Sequence, residues 1–390
     1  MSLIIFGDTF TFPDGNAATN RVYTFAKGFI ENGITAHVIC FENGYPDIND
    51  GIADGIKYFH PFNQTKRSEY FIVRRWQKLR KYCNTFKLIR DLNKAEKIIG
   101  INLWTNRLII QLFMYFLARY FKIKIIHEHS EHPLRNYQGS FLRKTTGEIR
   151  SYLGTKLCDG IYCISQYLID FYRTRGVAQK KLLLVPSTVD TGRFKNAYNP
   201  PLSFHYILYC GSLTIVKDGV HILIESFSKI AANHPEIHLV LIGKGDLPEE
   251  ELVIRNLVKG LEIHHRIHLL GQLSRTEIPA YLCNAKILAL ARPKSLVADA
   301  GFPSKLTEYL STGNPIVVTR VGEIPLFLKD QENAFLCDSD SIQAFADSLE
   351  FVLSNYEFAK KVGEKGMELT ATIFNYNFQA RRMIDFIRTL

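Results

Sequence analysis

Short apolar runs and helix-spaced patterns alternate along the whole chain. Leu3, Ile4, Ile5 and Phe6 form an uninterrupted run that stops at Gly7 and Asp8, which predicts a buried first strand. A loop carrying Pro13, Asp14 and Gly15 follows; residues 21–32 have helical spacing and residues 35–41 read as the next strand. Later strands are predicted at 122–126, 160–164 and 181–185. Around 194–204 the chain becomes linker-like, with Asn199, Pro200 and Pro201 in succession. The alternation then restarts, with apolar runs at 206–209, 237–242, 267–270, 286–290 and 315–318 separated by helical patterns. Two doubly wound parallel sheets account for this better than one large sheet. Residues 374–390 close the chain as a helix with Phe378, Met383, Ile384 and Ile387 apolar.

Length agrees, since 390 residues suit two or three domains at roughly 150 residues each. Apolar and charged fractions, 46% and 22%, are those of a globular protein. The N-terminal run has neither a basic leader nor a small-residue cleavage site, so no signal peptide is expected. The longest apolar run, 108–118, contains Gln111 and is too short to span a bilayer. Seven scattered cysteines without a CxxC pair read as buried free thiols rather than a disulfide framework or a zinc site.

The most informative stretch is 301–319. Gly301, Phe302, Pro303, Ser304 and Lys305 read as a turn opening a short helix, with Leu306 and then Glu308 following and a buried strand beyond. A helix start offers free N–H groups and the positive end of the dipole, which suits a diphosphate. Glu308, three residues after Lys305, shares its helical face and could accept both hydroxyls of a ribose. The alternative is a turn between core elements whose Lys305 and Glu308 are a solvated pair. A second phosphate-side candidate is the bend at Gly211 and Ser212, with Lys217 before the next helix. Arg292, past the strand 286–290, could face the same cleft or make a surface ion pair.

The stretch resembles the donor-binding motif of glycosyltransferase family 4, retaining sugar transferases of the GT-B fold, in its bacterial surface-polysaccharide branch. The resemblance continues through Gly313, Asn314 and Pro315 and through Val321, Gly322, Glu323, Ile324 and Pro325. Other family landmarks follow in order: Ser165 ending a strand, Val185 to Asp190 as the exit from the first domain, and the turn Gly243, Lys244, Gly245. The resemblance implies an α/β, GT-B architecture of two facing Rossmann-like domains with parallel sheets. It assigns 1–194 to the N-terminal acceptor-side domain, 195–373 to the nucleotide-sugar-binding domain, and 374–390 to a helix crossing back to the first. It further implies transfer from a nucleotide-diphosphate sugar, no required cofactor or catalytic metal, and a glycan or lipid-linked acceptor.

On that resemblance His127, Lys217 and Lys305 are the catalytic candidates. Gly15, Asn16, Gly211, Ser212, Arg292, residues 301–306 and Glu308 are donor-side. Asp8, Arg21, Glu128 and Glu131 are acceptor-side. Three positions depart from the family pattern. Ala300 stands where the first of two glutamates is usual, Ser212 where an arginine is usual, and Asn16 where a second glycine is usual.

Two patterns invite a metal. His127, Glu128, His129, Glu131 and His132 crowd what reads as one loop after the strand 122–126, without a separated ligand pair. Asp338, Ser339 and Asp340 form an Asp-x-Asp triplet but read as the N-cap of a helix over 342–349. Neither is taken as a metal site.

The net charge of +10 gathers in 66–90, where nine Lys and Arg face the single acid Glu69. Ile72, Trp76, Leu79, Cys83 and Phe86 recur on one helical face. Such a helix can rest on an anionic membrane or turn its apolar stripe to the sheet. The expectation is peripheral membrane contact through 66–92 at the inner face of the cytoplasmic membrane. Nucleic acid is not expected, because no recognition motif accompanies the charge. The competing functions are a GT-B nucleotide-sugar epimerase, a catalytically silent nucleotide-binding scaffold, and a membrane-docking module.

Overall fold

The structure is a computed structural model. It describes all residues except Asn16, 45–49, 135–140 and Ala197, and it does not describe the side chains of 141–144. The chain forms two compact units, Met1–Thr188 with Tyr376–Leu390, and Val189–Asn375.

The first unit is built on β1 (Ser2–Gly7), α1 (Ala17–Glu31), β2 (Thr35–Cys40), β3 (Gly51–Ala53), β4 (Ile56–Phe59), α2 (Phe71–Ala95), β5 (Ile98–Trp104), α3 (Leu108–Phe121), β6 (Lys124–His129), α4 (Phe141–Lys156), β7 (Gly160–Cys163), α5 (Gln166–Arg173) and β8 (Leu182–Leu184). Its sheet has the order β3-β4-β2-β1-β5-β6-β7-β8, parallel except for the β3–β4 edge pair. Every residue of β1 is buried, which is why that strand reads as a continuous apolar run rather than an alternation. The fifth strand was not legible as one, because Gly100 and Asn102 break its apolar run. Asn102 is tolerated inside because its side chain accepts from Trp104 Nε1 at 2.6 Å.

The second unit contains β9 (His205–Cys210), α6 (Val220–Ile230), β10 (Ile237–Ile242), α7 (Pro248–Lys259), β11 (Ile267–Gly271), α8 (Ile278–Cys283), β12 (Ile287–Leu290), α9 (Leu296–Ala300), α10 (Ser304–Leu310), β13 (Ile316–Thr319), α11 (Ile324–Phe327), β14 (Phe335–Cys337), α12 (Ile342–Ser354) and α13 (Tyr356–Ala371). Its six strands are all parallel, in the order β11-β10-β9-β12-β13-β14. Helix α7 shows why such helices form where they do. Pro248 opens it, three glutamates sit at its positive end and Lys259 at its negative end.

The last helix, α14 (Tyr376–Thr389), belongs to the first unit. Met383, Ile384 and Ile387 join the core around Leu3, Phe25 and Trp104, while Phe378 is exposed.

Three expectations are corrected here. The Asp338–Asp340 triplet is not the cap of α12: Ser341 is, accepting from Ala344 N at 3.1 Å, and Asp340 instead accepts from Lys294 N at 3.2 Å. His127, Glu128 and His129 are not loop residues but the end of β6, because backbone pairing with β7 continues through His129. Cys83 is an exposed thiol on α2, whereas Cys40, Cys158, Cys163 and Cys337 are buried.

Candidate functional site

In an open parallel sheet the crevice that takes a ligand lies at the carboxyl ends of the strands, where the strand order reverses. In the second unit the reversal falls between β9 and β12. Gly211 follows the first of these strands and Arg292 lies two residues past the second.

Lys305 meets them from α10. Its Nζ lies 2.7 Å from Asp218 Oδ2 and donates to the Tyr209 hydroxyl at 2.9 Å. That hydroxyl lies 2.6 Å from the carbonyl oxygen of Ser212 and 3.0 Å from Asp218 Oδ2. A Cβ on Gly211 would sit 2.6 Å from both Cε and Nζ of Lys305, so only glycine lets the lysine lie against this bend. Helix α10 is held to the end of β9 by the Tyr309 hydroxyl, which accepts from Cys210 N at 2.8 Å.

Burial pulls the Lys305 pKa down, and the Asp218 carboxylate pushes it back up. Burial would raise the Asp218 carboxyl, but Lys305, Arg292 and Lys217 together hold it below its ordinary range. Asp218 thus favours the charged form of the ammonium and aims it. Arg292 is buried, donates to Val297 O at 2.9 Å, and contributes its charge to the same group. Lys217 is partly buried and acts on the cluster through space rather than by a hydrogen bond.

The turn before α10 is anchored by its apolar members. Phe302 is buried and stacks on Phe374 at 5.1 Å, Pro303 and Leu306 are buried, and Gly301 and Ser304 are partly exposed. Glu308, on the next turn, accepts from Arg193 at 2.7 Å, and Arg193 also donates to Arg275 O at 2.8 Å. Ala300 is fully buried at the end of α9. Asp218, Tyr209 and Arg193 were missed in the sequence. Asp218 had a signal, a carboxylate beside Lys217 in the same bend. Arg193 had none, since it stands 115 residues from its partner.

In the first unit the order reverses between β1 and β5. Asp8 follows β1, its side chain is 4% exposed, and it pairs with Arg107 at 3.2 Å just past β5. Gly15 packs where a Cβ would collide with the Thr11 and Thr19 hydroxyls. Asn16 lies outside the described residues. Arg21 and Glu128 are joined in a buried pair at 2.9 Å, and Arg21 also donates to Pro186 O and Val185 O at 2.6 and 2.7 Å. His127 is 2% exposed, and burial drops its pKa to about 3, so its ring is neutral at neutral pH. Glu131 is exposed on the segment after β6.

On the basic helix α2 the packed side is Lys81, Thr85 and Ile89. Ile72, Trp76 and Leu79 are 58–70% exposed, so this stripe does not face the sheet. No helix among the described residues is long and apolar enough to cross a membrane.

Comparison with known proteins agrees with the topology. Residues 190–369 match the family model for glycosyl transferases group 1. An uncharacterized glycosyltransferase of Haemophilus influenzae is 23% identical over 62% of this chain and 64% of its own length, so the match spans under two thirds of that relative. The lipopolysaccharide core biosynthesis glycosyltransferase LpsE of Rhizobium meliloti is 21% identical over 72% of this chain and 81% of its own. The crystal structure of Anabaena Alr3699/HepE in complex with UDP superposes with a TM-score of 0.72 at 14% identity, covering all of both chains. The fold is therefore GT-B-like, with two parallel-sheet α/β units, and residues 190–369 are similar to the glycosyl transferases group 1 family.

Proposed function

We propose that the chain is a retaining glycosyltransferase, moving a sugar from a nucleotide diphosphate to a lipid-linked glycan acceptor during surface-polysaccharide synthesis. The observation that carries this is the Lys305 ammonium, held by Asp218 and Tyr209 against Gly211 at the strand-order reversal of the second unit. A diphosphate there meets Lys305, with Lys217 and Arg292 nearby, and these cations stabilise the charge that grows on the leaving group. Glu308, oriented by Arg193, takes the ribose hydroxyls. The bond from the anomeric carbon to the phosphate oxygen breaks and the bond to the acceptor oxygen forms on the same face. The acceptor proton passes to the departing phosphate, so no protein nucleophile is needed. A neutral His127 suits hydrogen bonding rather than proton donation. The Anabaena neighbour was crystallised with UDP, which supports a nucleotide donor.

The enzyme works at the inner face of the cytoplasmic membrane, touching anionic lipid through the exposed stripe of α2, which supports a lipid-linked acceptor. A second reading is favoured by the buried Ala300, which supplies no carboxylate to a donor sugar. On that reading the domain binds nucleotide without transferring sugar.

The test is thermal stabilisation across a panel of nucleoside diphosphates and their sugars, followed by product analysis with acceptor. One base should give a selective shift, and Lys305→Ala should lose it and lower turnover about 10²–10³-fold. Wild-type transfer by that variant would sink the assignment. A shift without product under any acceptor would favour the silent reading.

A further inference from the structure

The first unit holds a cavity of about 190 Å³ outside the groups used above, between α2, the start of α3 and the segment after β2. Among the described residues five cations line it, Arg67, Arg74, Lys78, Lys81 and Arg107, and no carboxylate does. Only Arg107 has a carboxylate within ion-pair distance among the described residues, namely Asp8 at 3.2 Å. Glu42 is a second nearby acid among the described residues; burial, followed by the charge of Asp8, pushes its carboxyl up, against the opposing charges of Lys81 and Arg107.

Lys81 is the unusual member. It is 3% exposed, on the packed side of α2, and its ammonium stands 3.9 Å above the Phe41 ring. It donates to Asn43 Oδ1 at 2.6 Å and to Phe41 O at 3.4 Å, which uses two of its three N–H groups. A buried cation held by neutral oxygens and a ring keeps most of its desolvation cost, and a bound anion removes it. Burial brings its pKa down to about 8; the charge of Asp8 opposes that fall, and Arg107, Lys78 and Arg67 add to it. A dianion seated among these groups relieves both effects. The volume limits the ligand as well. Sites for whole small molecules run to about 300–1,000 Å³, so this one suits a head group and not a sugar nucleotide.

We propose that the cavity binds the phosphate of a phosphorylated ligand. Resting on the transferase reading above, that ligand is the acceptor, and the cavity holds its phosphate or diphosphate. Arg74 and Lys78 supply the entry charge and Lys81 the buried contact.

Two probes separate the sources of that phosphate in the full chain: inorganic pyrophosphate by calorimetry, and phosphatidylcholine vesicles with or without phosphatidic acid by sedimentation. Lys81→Met changes a buried group and no surface charge, and the double variant Arg74→Gln, Lys78→Gln keeps the proposal testable if Lys81→Met fails to fold. In a Lys305→Ala background, which weakens the diphosphate site of the second unit, pyrophosphate should still bind, and its affinity should fall about tenfold or more on adding either cavity change. Binding confined to phosphatidic acid vesicles, and weakened in the same variants, supports the site with a lipid as the source. No binding of either probe, or binding that neither cavity change weakens, overturns it. Loss of pyrophosphate binding in Lys305→Ala alone also overturns it, because the anion then sits in the nucleotide site. Failure of the nucleotide panel leaves this result standing, so the two readings fail separately.

Discussion

Lys305 is where charge, burial and backbone shape meet, and Gly211 is the position that permits it. Alanine there would bring a Cβ within 2.6 Å of the lysine's Cε and Nζ. The flexible lysine end would yield first and leave Asp218. Gly211→Ala should therefore cost about 1–3 kcal/mol in stability and remove most of the nucleotide-induced thermal shift. An undiminished shift would show that Lys305 does not meet the ligand from this bend. His127 gives a pH signature in the same spirit. Its pKa falls from 6.5 to about 3 on folding, so the unfolded chain binds a proton that the folded chain refuses. Its contribution to stability is complete above pH 6.5 and is lost as pH falls through that window, at about 1.4 kcal/mol per pH unit. Urea midpoints at about pH 7 and about pH 5 should lie closer together in His127→Gln than in wild type. Equal spacing would mean that the ring is protonated in the fold.

At the scale of elements, the contact between α1 and α14 is set by Gly28. A Cβ at that position would meet Ala380 Cβ at 2.6 Å and the carbonyl oxygen of Tyr376 at 2.9 Å. On an isolated helix Gly→Ala gains about 1 kcal/mol. Here the backbone carbonyl does not move aside, so Gly28→Ala should destabilise by about 1–3 kcal/mol, read from urea unfolding. A gain would mean that the two helices sit further apart. The helical pattern of 21–32 was legible because its apolar spacing is regular. Its close approach to a helix some 350 residues later was not, because an absent side chain leaves no mark in a pattern of apolar positions. Helix α2 carries the opposite lesson. Its apolar stripe was legible, but the buried side holds Ile89 together with the polar Lys81 and Thr85, which bond to groups contributed by neighbouring segments and by the helix's own backbone.

At the scale of the molecule, two units each carry a strand-order reversal, and the catalytic and binding candidates of each unit gather near its own reversal. The exposed apolar and basic face of α2 belongs to the first unit. Trp76 is 69% exposed while Trp104, the other tryptophan, is 3% exposed. Addition of anionic vesicles should therefore blue-shift the exposed component of the emission, high salt should weaken the change, and Trp76→Leu should remove it. An unchanged spectrum with sedimenting protein would place the contact elsewhere.

What the sequence determined by itself is what local physics controls. Continuous apolar runs demand strands covered on both faces, and their alternation with helical patterns demands parallel sheets. Gly301, Lys305 and Glu308 lie close enough in the chain for their shared turn and helix to be read directly. What only the tertiary structure decided is which distant groups complete them. Asp218 and Tyr209 for Lys305, Arg193 for Glu308, and Glu128 for Arg21 are set by strand order, which brings together residues 87 to 115 positions apart. Of the five cations of the basic cavity, Arg67, Arg74, Lys78 and Lys81 lie on α2 or just before it, and Arg107, just before α3, is the one brought to them by the fold. Pairing across such separations depends on the packed sheet as a whole, and no local pattern in the chain encodes it.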